Sequence, residues 1–236
     1  LGPSMACRTC AGRWRLVAGR DTDETGPMDP DSRAANINEF VERLAFTAEL
    51  RDGTPVRVRP IAPKDRDRLA EGWKHLSARS RYLRFLQSKT TLSEKDLTYL
   101  TEIDYDDHFA WAAEELDTRD RPGIGIARYI RSTDDPAVAE AALAVVDDRQ
   151  RMGLGRILLQ ALSDAAHANG IERFRAYVSM NNQQVLDSLG AIGATRSAAE
   201  GGMVMLELPV PTASFDDSPL YQALRAVAIV HAGDDS

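Results

Sequence analysis

The stretch from Asp147 to Leu159 reads DDRQRMGLGRILL, and it decides which fold this chain of 236 residues adopts. The apolar run AALAVV before it predicts a strand, and the apolar residues after Gly155 recur at the spacing of an amphipathic helix. Glycine lets the backbone approach a ligand closely, and the first turn of a helix exposes N–H groups and partial positive charge. Strand, glycine loop and helix in this order predict a cradle for a phosphate or diphosphate, to which Arg151 and Arg156 add charge.

The loop lacks the signatures of two common phosphate-binding motifs. A Walker loop ends in Gly-Lys-Ser/Thr, whereas Gly155 is followed here by Arg156 and Ile157. A dinucleotide fingerprint needs a third glycine where Leu158 stands, and it follows the first strand of its domain. A nucleotide-binding protein therefore remains only a weaker alternative.

The composition is that of an ordinary globular protein, with 43% hydrophobic and 28% charged residues. The net charge of -7 argues against a general nucleic-acid binder. No apolar run has the length of a membrane span, and no secretory signal is recognisable, so we expect a cytoplasmic protein without membrane contact. Cys7 and Cys10 are too few for a zinc site, and we interpret them as free thiols and expect no metal.

The chain divides into three parts. We interpret residues 1–35 as a disordered leader, residues 36–210 as one domain, and residues 211–236 as a linker followed by a helix. Within the domain, alternating or continuous apolar runs predict strands at 54–62, 108–116, 123–132, 139–148, 173–180 and 201–210. Helical spacing is seen at 63–77, 80–88, 91–104, after the glycine loop and at 182–193, with Ser93 in a capping position. Several strands precede the loop, which indicates an α/β or α+β fold with a mixed sheet.

The spacing Gln150-x-x-Gly153-x-Gly155, after a strand and opening a helix, resembles the acetyl-CoA diphosphate loop of GCN5-related N-acetyltransferases (GNAT). The downstream frame of Asn182, Val185, Leu189 and Gly193 resembles the same family, although Ala194 stands where an aromatic residue is usual. The resemblance implies a GNAT fold, with a twisted mixed sheet of about six to seven strands flanked by helices. Taken alone, Asn182 is equally well explained as a helix N-cap.

A narrower resemblance, covering about residues 50–210, is to the GNAT domain of bacterial Pat-type protein lysine acetyltransferases. It rests on the positions of Ser77, Ser80, Arg81, Tyr82, Arg84, Phe85, Asp104 and Tyr105. Larger relatives carry an extra domain for sensing or CoA ligation. We expect none here, because the leader is short and polar.

The resemblance implies acetyl-CoA as cosubstrate and assigns roles to particular residues. In the Pat-type frame Glu140 is the general base that takes the proton of the acceptor amine; on the residues alone, a solvated carboxylate at the start of a strand explains it equally well. The loop that binds the diphosphate comprises Gln150, Arg151, Met152, Gly153, Leu154, Gly155 and Arg156. Backbone N–H groups at Val145, Val146 and Asp147 would contact the thioester and pantetheine, and Asn182 the pantetheine amides. No general acid is assigned.

Several functions stay open at this point. The acceptor is a protein lysine or a small amine, and the active species is a monomer or a homodimer. The alternative to an enzyme is an acyl-CoA-binding regulatory module without turnover.

Overall fold

The computed structural model describes residues 30–77, 91–118 and 122–210, without the side chains of 30–33 and 198–200. Its five helices are α1 (Pro30–Leu44), α2 (Arg66–Lys74), α3 (Glu94–Thr101), α4 (Leu154–Ala168) and α5 (Gln183–Ala191). Its eight strands are β1 (Phe46–Glu49), β2 (Pro55–Pro60), β3 (His108–Glu115), β4 (Gly123–Arg131), β5 (Val138–Val145), β6 (Arg173–Ser179), β7 (Thr195–Glu200) and β8 (Met203–Pro209).

All eight strands form one sheet in the order β1-β2-β3-β4-β5-β6-β8-β7. Neighbouring strands are antiparallel except β5 and β6, which run parallel. The long connection between these two strands contains α4, as a parallel crossover requires. The predicted mixed α/β fold is therefore confirmed.

The main core lies between α4 and one face of the sheet. Leu158 and Leu162 of α4 pack there among fully buried aromatic side chains of the central strands, Phe109, Trp111, Tyr129 and Phe174. On the opposite face, Ile61, Ile103 and Ala110 form a smaller cluster close to α3. The alternation of side chains along each strand thus gives β5 one face toward α4 and one toward α2 and α3.

Local sequence explains where several elements begin and end. Ser93 caps α3: its side chain accepts a hydrogen bond from the amide of Asp96, and the Asp96 carboxylate accepts one from the Ser93 amide (2.7 Å). Gly153, at φ 95°, occupies the left-handed position from which α4 starts. Both starts were predicted from the residue types.

The sheet has two strands more than the six patterns recognised in the sequence. The additional strands, β1 and β7, have four and six residues and form the two edges of the sheet. Their sequences, FTAE and TRSAAE, are too short or too poor in apolar residues to show a period, so pairing with β2 and β8 defines them as strands.

Some predictions fall on residues outside the described part. These are most of the leader, the helix expected at 80–88, the residues from Ser80 to Phe85 that carry part of the Pat-type resemblance, and the segment 211–236. Helix α1 begins at Pro30, inside the range assigned to the leader. The domain boundaries remain predictions.

Candidate functional site

Strands β5 and β6 part after a short contact. They pair only through Val138–Glu140 opposite Arg173–Arg175, whereas β5 stays paired with β4 from Ala139 to Val145. On the side of β6, residues 141–145 therefore have no strand neighbour, and a gap opens between the two strands.

The backbone of β5 directs polar groups into this gap. The Val146 amide donates to the Ile124 carbonyl of the neighbouring segment (3.0 Å). Because bonded and non-bonded pairs alternate in an antiparallel ladder, the N–H and C=O groups of Ala141, Leu143 and Val145 point away from β4. The Val145 carbonyl already accepts a hydrogen bond from Gln150 Nε2 (3.1 Å), which leaves Ala141 and Leu143 as the main groups facing the gap.

The thioester contacts expected at Val145, Val146 and Asp147 stay a prediction. The Val146 amide donates to the Ile124 carbonyl, whereas Val145 lies on the side of β5 that faces the gap. Ala141 and Leu143, which the sequence prediction does not include, point to the same side. Backbone groups along a strand point alternately to its two sides. Once the Val146 amide is known to face β4, the alternation shows that Ala141 and Leu143 face the gap.

The glycine loop presents a row of free amides. Arg151 (φ 62°) and Gly153 (φ 95°) both have positive φ, a conformation that turns successive N–H groups toward one concave side. In the described part of the chain, no hydrogen bond has an amide of residues 151–155 as its donor. The regular ladder begins with the amides of Arg156 and Ile157, which donate to the Gly153 carbonyl at 3.0 and 3.2 Å. Amides arranged in this way can hydrogen-bond an anion, and the diphosphate-binding role of the loop stays a prediction.

Three contacts from neighbouring elements and one within the loop hold it in place. The Met152 carbonyl accepts a hydrogen bond from the Arg51 amide (2.9 Å), and the Asp147 carboxylate accepts one from the Ser77 amide (2.9 Å). Arg149 forms an ion pair with Glu115 at the end of β3 (3.0 Å). The Gln150 side chain also donates to Asp147 Oδ1 (3.0 Å), so this glutamine stabilises the loop from within. The side chains of Arg151 and Arg156 are exposed beside the free amides.

Asn182 stands at the N-cap position of α5, where its carbonyl accepts from the amides of Val185 and Leu186 (both 3.1 Å). Its side chain makes no capping hydrogen bond and is half-buried. Capping by the side chain, the alternative explanation, is therefore not observed.

Glu140 lies at the last residue where β5 and β6 are paired. It is exposed and stands between Ile130 of β4 and Arg175 of β6. Val145 lies five residues further along the strand, a distance of about 17 Å. The glycine loop and the Glu140 carboxylate thus lie at opposite ends of the open part of β5.

The face of β5 that carries Glu140 continues into an apolar cavity. Ala144, on the same face, lines this cavity together with Leu69 and Trp73 of α2, Leu100 of α3 and Ile126 of β4. The cavity lies on the opposite side of the sheet from α4, because Leu143 is the β5 residue next to Gly155 of that helix (3.8 Å from a Cβ placed there).

Charged side chains near the cavity and the gap are held in pairs. Arg175 Nη2 donates to Glu207 Oε1 (2.9 Å), and this hydrogen bond raises the pKa of Arg175. On the cavity wall, buried Arg59 makes a two-pronged contact with Asp65 (2.6 and 2.7 Å) and donates to Glu114 (3.1 Å). Desolvation alone would lower the pKa of Arg59, but the hydrogen bonds and charges of Asp65 and Glu114 outweigh it and raise the value.

Among the described residues, no cluster of three or more His, Cys, Asp or Glu side chains has a geometry that would hold a metal ion. None of the helices in residues 30–77, 91–118 and 122–210 combines the length and apolar character needed to cross a membrane.

The chain is similar to known proteins over most of these elements. The sequence model of the acetyltransferase (GNAT) family matches residues 76–189. Acetyltransferase Pat of Mycolicibacterium smegmatis is 35% identical over 200 residues, which are 83% of this chain and 59% of that protein. An acetyltransferase of Pseudomonas aeruginosa is 31% identical over 153 residues, 65% of this chain and 82% of that protein.

Among solved structures, the crystal structure of the GNAT domain of Pat from S. lividans superimposes with a TM-score of 0.64 at 32% identity. The match covers 70% of this chain and 97% of that domain. This chain spans about three fifths of the length of the Mycolicibacterium smegmatis protein, so the match to that relative is partial.

Proposed function

This chain belongs to the acetyltransferase (GNAT) family, and we propose that it is an acetyl-CoA-dependent N-acetyltransferase that transfers the acetyl group directly to an amine. The observation that carries the proposal is the gap between β5 and β6, with free loop amides at one end and Glu140 at the other. Acetyl-CoA is a long molecule with phosphate groups at one end and the reactive thioester at the other. The loop amides would face the phosphate groups, and Glu140 would face the thioester.

The binding role follows from groups that have no hydrogen-bond or ion-pair partner among the described residues. The amides of residues 151–155 and the side chains of Arg151 and Arg156 would hold the diphosphate. The backbone of Ala141 and Leu143 and the side chain of Asn182 would hydrogen-bond the amides of the pantetheine arm. The apolar side chain of Leu143, 39% exposed, adds a contact surface along the same strand.

The chemical role assigned to Glu140 is that of general base. An amine attacks a thioester only when it is neutral, so its proton must be taken up by a nearby group. A new N–C bond forms, the C–S bond breaks, and the amine proton passes to the Glu140 carboxylate directly or through water. The thiolate of CoA leaves without an assigned acid at modest cost, because the pKa of a thiol is only about 8.5.

A protein lysine is the acceptor we favour, since the Pat proteins are the most similar relatives named above. A small apolar amine is the second candidate. It is supported by the apolar cavity that continues from the face carrying Glu140 and is lined by Leu69, Trp73 and Leu100.

The experiment measures thiol release from acetyl-CoA with lysine peptides in one series and small aliphatic and aromatic amines in another. Glu140→Gln is compared with Glu172→Gln, an exposed carboxylate two residues before Phe174 that serves as the control. We expect Glu140→Gln to reduce kcat by roughly 10²-fold or more with little change in CoA binding, and Glu172→Gln to match the parent protein. Unchanged turnover in Glu140→Gln would refute the assignment of the base.

Binding without turnover in the parent protein would instead support the regulatory module. Calorimetric titration with CoA, ATP and NAD distinguishes these cases from a nucleotide-binding protein. No heat with CoA at millimolar concentration contradicts the proposal as a whole.

A further inference from the structure

The turn between β1 and β2 has a fixed conformation next to the glycine loop. Its first residue, Leu50, is buried, and the Leu50 amide donates to the Thr54 carbonyl (2.9 Å). The Gly53 amide donates back to Leu50 (3.0 Å), and the Asp52 carboxylate accepts from the Thr54 amide (3.1 Å). These bonds hold the backbone of the intervening residue, Arg51, in one position.

Arg51 lies directly against the loop. Its amide donates to the Met152 carbonyl (2.9 Å). A Cβ placed on Gly153 would lie 3.7 Å from Arg51 Cγ and 3.9 Å from its Nε, so the side chain runs alongside Gly153. Gly153 is the residue from which α4 starts, at the centre of the free amides.

The guanidinium of Arg51 has no acidic partner in the described part of the chain, and its side chain is exposed. The adjacent Asp52 is turned toward Thr54, and the cation that lowers its pKa, after those hydrogen bonds, is Arg149 rather than Arg51. Arg149 in turn is paired with Glu115 and Asp148. The charge of Arg51 is therefore available to a ligand at the loop.

We propose that Arg51 is a further CoA-binding residue whose guanidinium pairs with a phosphate group of the cosubstrate. The inference rests on the function proposed above. CoA carries a diphosphate and a 3′-phosphate, more negative charge than one helix terminus balances. Arginine presents a planar fork of donors that suits phosphate oxygens, and the fixed turn reduces the entropy lost on binding.

The sequence offers no direct sign of this role, because about a hundred residues separate Arg51 from the loop. Only the pairing of β1 with β2 and the Arg51–Met152 hydrogen bond bring the turn to this place.

Calorimetric titration of CoA and of dephospho-CoA into the parent protein, Arg51→Ala and Arg51→Lys tests the proposal. Arg196→Ala on β7, another exposed arginine without an ion pair in the described residues, is the control. We expect the Kd for CoA to rise roughly tenfold in Arg51→Ala and less in Arg51→Lys, with no change in Arg196→Ala. The salt dependence of binding should weaken in Arg51→Ala.

The two ligands identify the phosphate. An equal loss with CoA and dephospho-CoA assigns the contact to the diphosphate, and a loss confined to CoA assigns it to the 3′-phosphate. A Kd within twofold of the parent protein overturns the proposal, as does a lowered melting temperature of Arg51→Ala without ligand, which would indicate a structural role. If the parent protein itself does not bind CoA, it is the proposed function that fails.

Discussion

Gly125 of β4 lies directly beneath Leu158 of α4: a Cβ placed on this glycine would be 2.9 Å from Leu158 Cδ1 and 3.1 Å from Leu154 Cδ2. Leu154 is the first residue of the helix that follows the glycine loop. The missing side chain at residue 125 therefore sets how closely the start of α4 approaches the sheet.

Gly125→Ala is expected to push α4 away from the sheet. Overpacking of this kind costs about 1–3 kcal/mol of unfolding free energy, and the displaced loop should raise the KM for acetyl-CoA. Gly123→Ala on the same strand is the matched control, since nothing lies within 4 Å of its added Cβ. Urea denaturation and steady-state kinetics check both effects, and equal behaviour of the two variants would show that the approach is not limiting.

Gly155→Ala is expected to leave the unfolding free energy unchanged or raise it while weakening the binding of CoA. An added Cβ would make only an ordinary contact with Leu143 Cδ2 (3.8 Å), and alanine favours a helix over glycine by up to about 1 kcal/mol. The methyl group would nevertheless stand among the free amides and weaken CoA binding, by roughly tenfold. Gly190→Ala in α5 offers the same gain in helix propensity away from the loop, with nothing within 4 Å. Melting curves with and without CoA distinguish the two; undiminished stabilisation of Gly155→Ala by CoA would contradict the binding role of the loop.

Glu114→Gln is expected to destabilise the wall of the apolar cavity. Glu114 is buried and accepts from Arg59 (3.1 Å) and Arg68 (2.6 Å), so loss of its charge leaves buried Arg59 with one carboxylate partner. Because Arg59 keeps Asp65 as its partner, we expect a loss of about 1–3 kcal/mol of unfolding free energy, less than for a buried charge left without any partner. The surface pair of Lys74 with Glu71 is the comparison, and Glu71→Gln should change the unfolding free energy by less than about 1 kcal/mol. Chemical denaturation measures the unfolding free energy of both variants. If Glu114→Gln and Glu71→Gln lose similar amounts, burial does not make the Glu114 ion pair more important for stability than the surface pair.

Asp164 in α4 makes stability depend on pH. Burial raises its pKa to about 6, although a hydrogen bond from Gln160 Nε2 (3.1 Å) opposes the shift. Between its unfolded value near 4 and its folded value, the unfolded chain has lost the proton that the folded protein keeps, so stability falls as the pH rises through this window.

Asp164→Asn should remove this slope. The variant is expected to unfold at a higher temperature than the parent protein at pH 7.5 and at the same temperature near pH 3.5, because both side chains are then neutral. Thermal unfolding at several pH values measures the difference. Parallel curves for the two proteins would mean that Asp164 does not titrate in this range.

The sequence predicts the helices and strands whose hydrophobic pattern extends over many residues. It also predicts the loop whose backbone conformation depends on glycine. Gly153 adopts positive φ, as a glycine before a helix suggests, and β3 to β6 follow their apolar patterns. The edge strands β1 and β7 were missed because pairing, and not local preference, defines them.

The site required information that no local pattern contains. The Val146 amide donates to the Ile124 carbonyl, and this hydrogen bond depends on the register of β4 against β5. Arg51 reaches Gly153 only because the β1–β2 turn folds onto the loop. Contacts between residues distant in sequence, rather than residue type, decide which groups remain free.

The three residue pairs that join β5 to β6 also have a mechanical consequence. The sheet consists of two plates, β1–β5 and β6–β8. In the described part of the chain, their strands are joined only near Glu140, by the three residue pairs and by hydrogen bonds from the Glu172 and Arg173 amides to the Ala137 carbonyl. A pantetheine arm bonded to Ala141 and Leu143 would act as an inserted partial strand and couple the plates. In that case the rigidity of the protein would rise and fall once in every catalytic cycle.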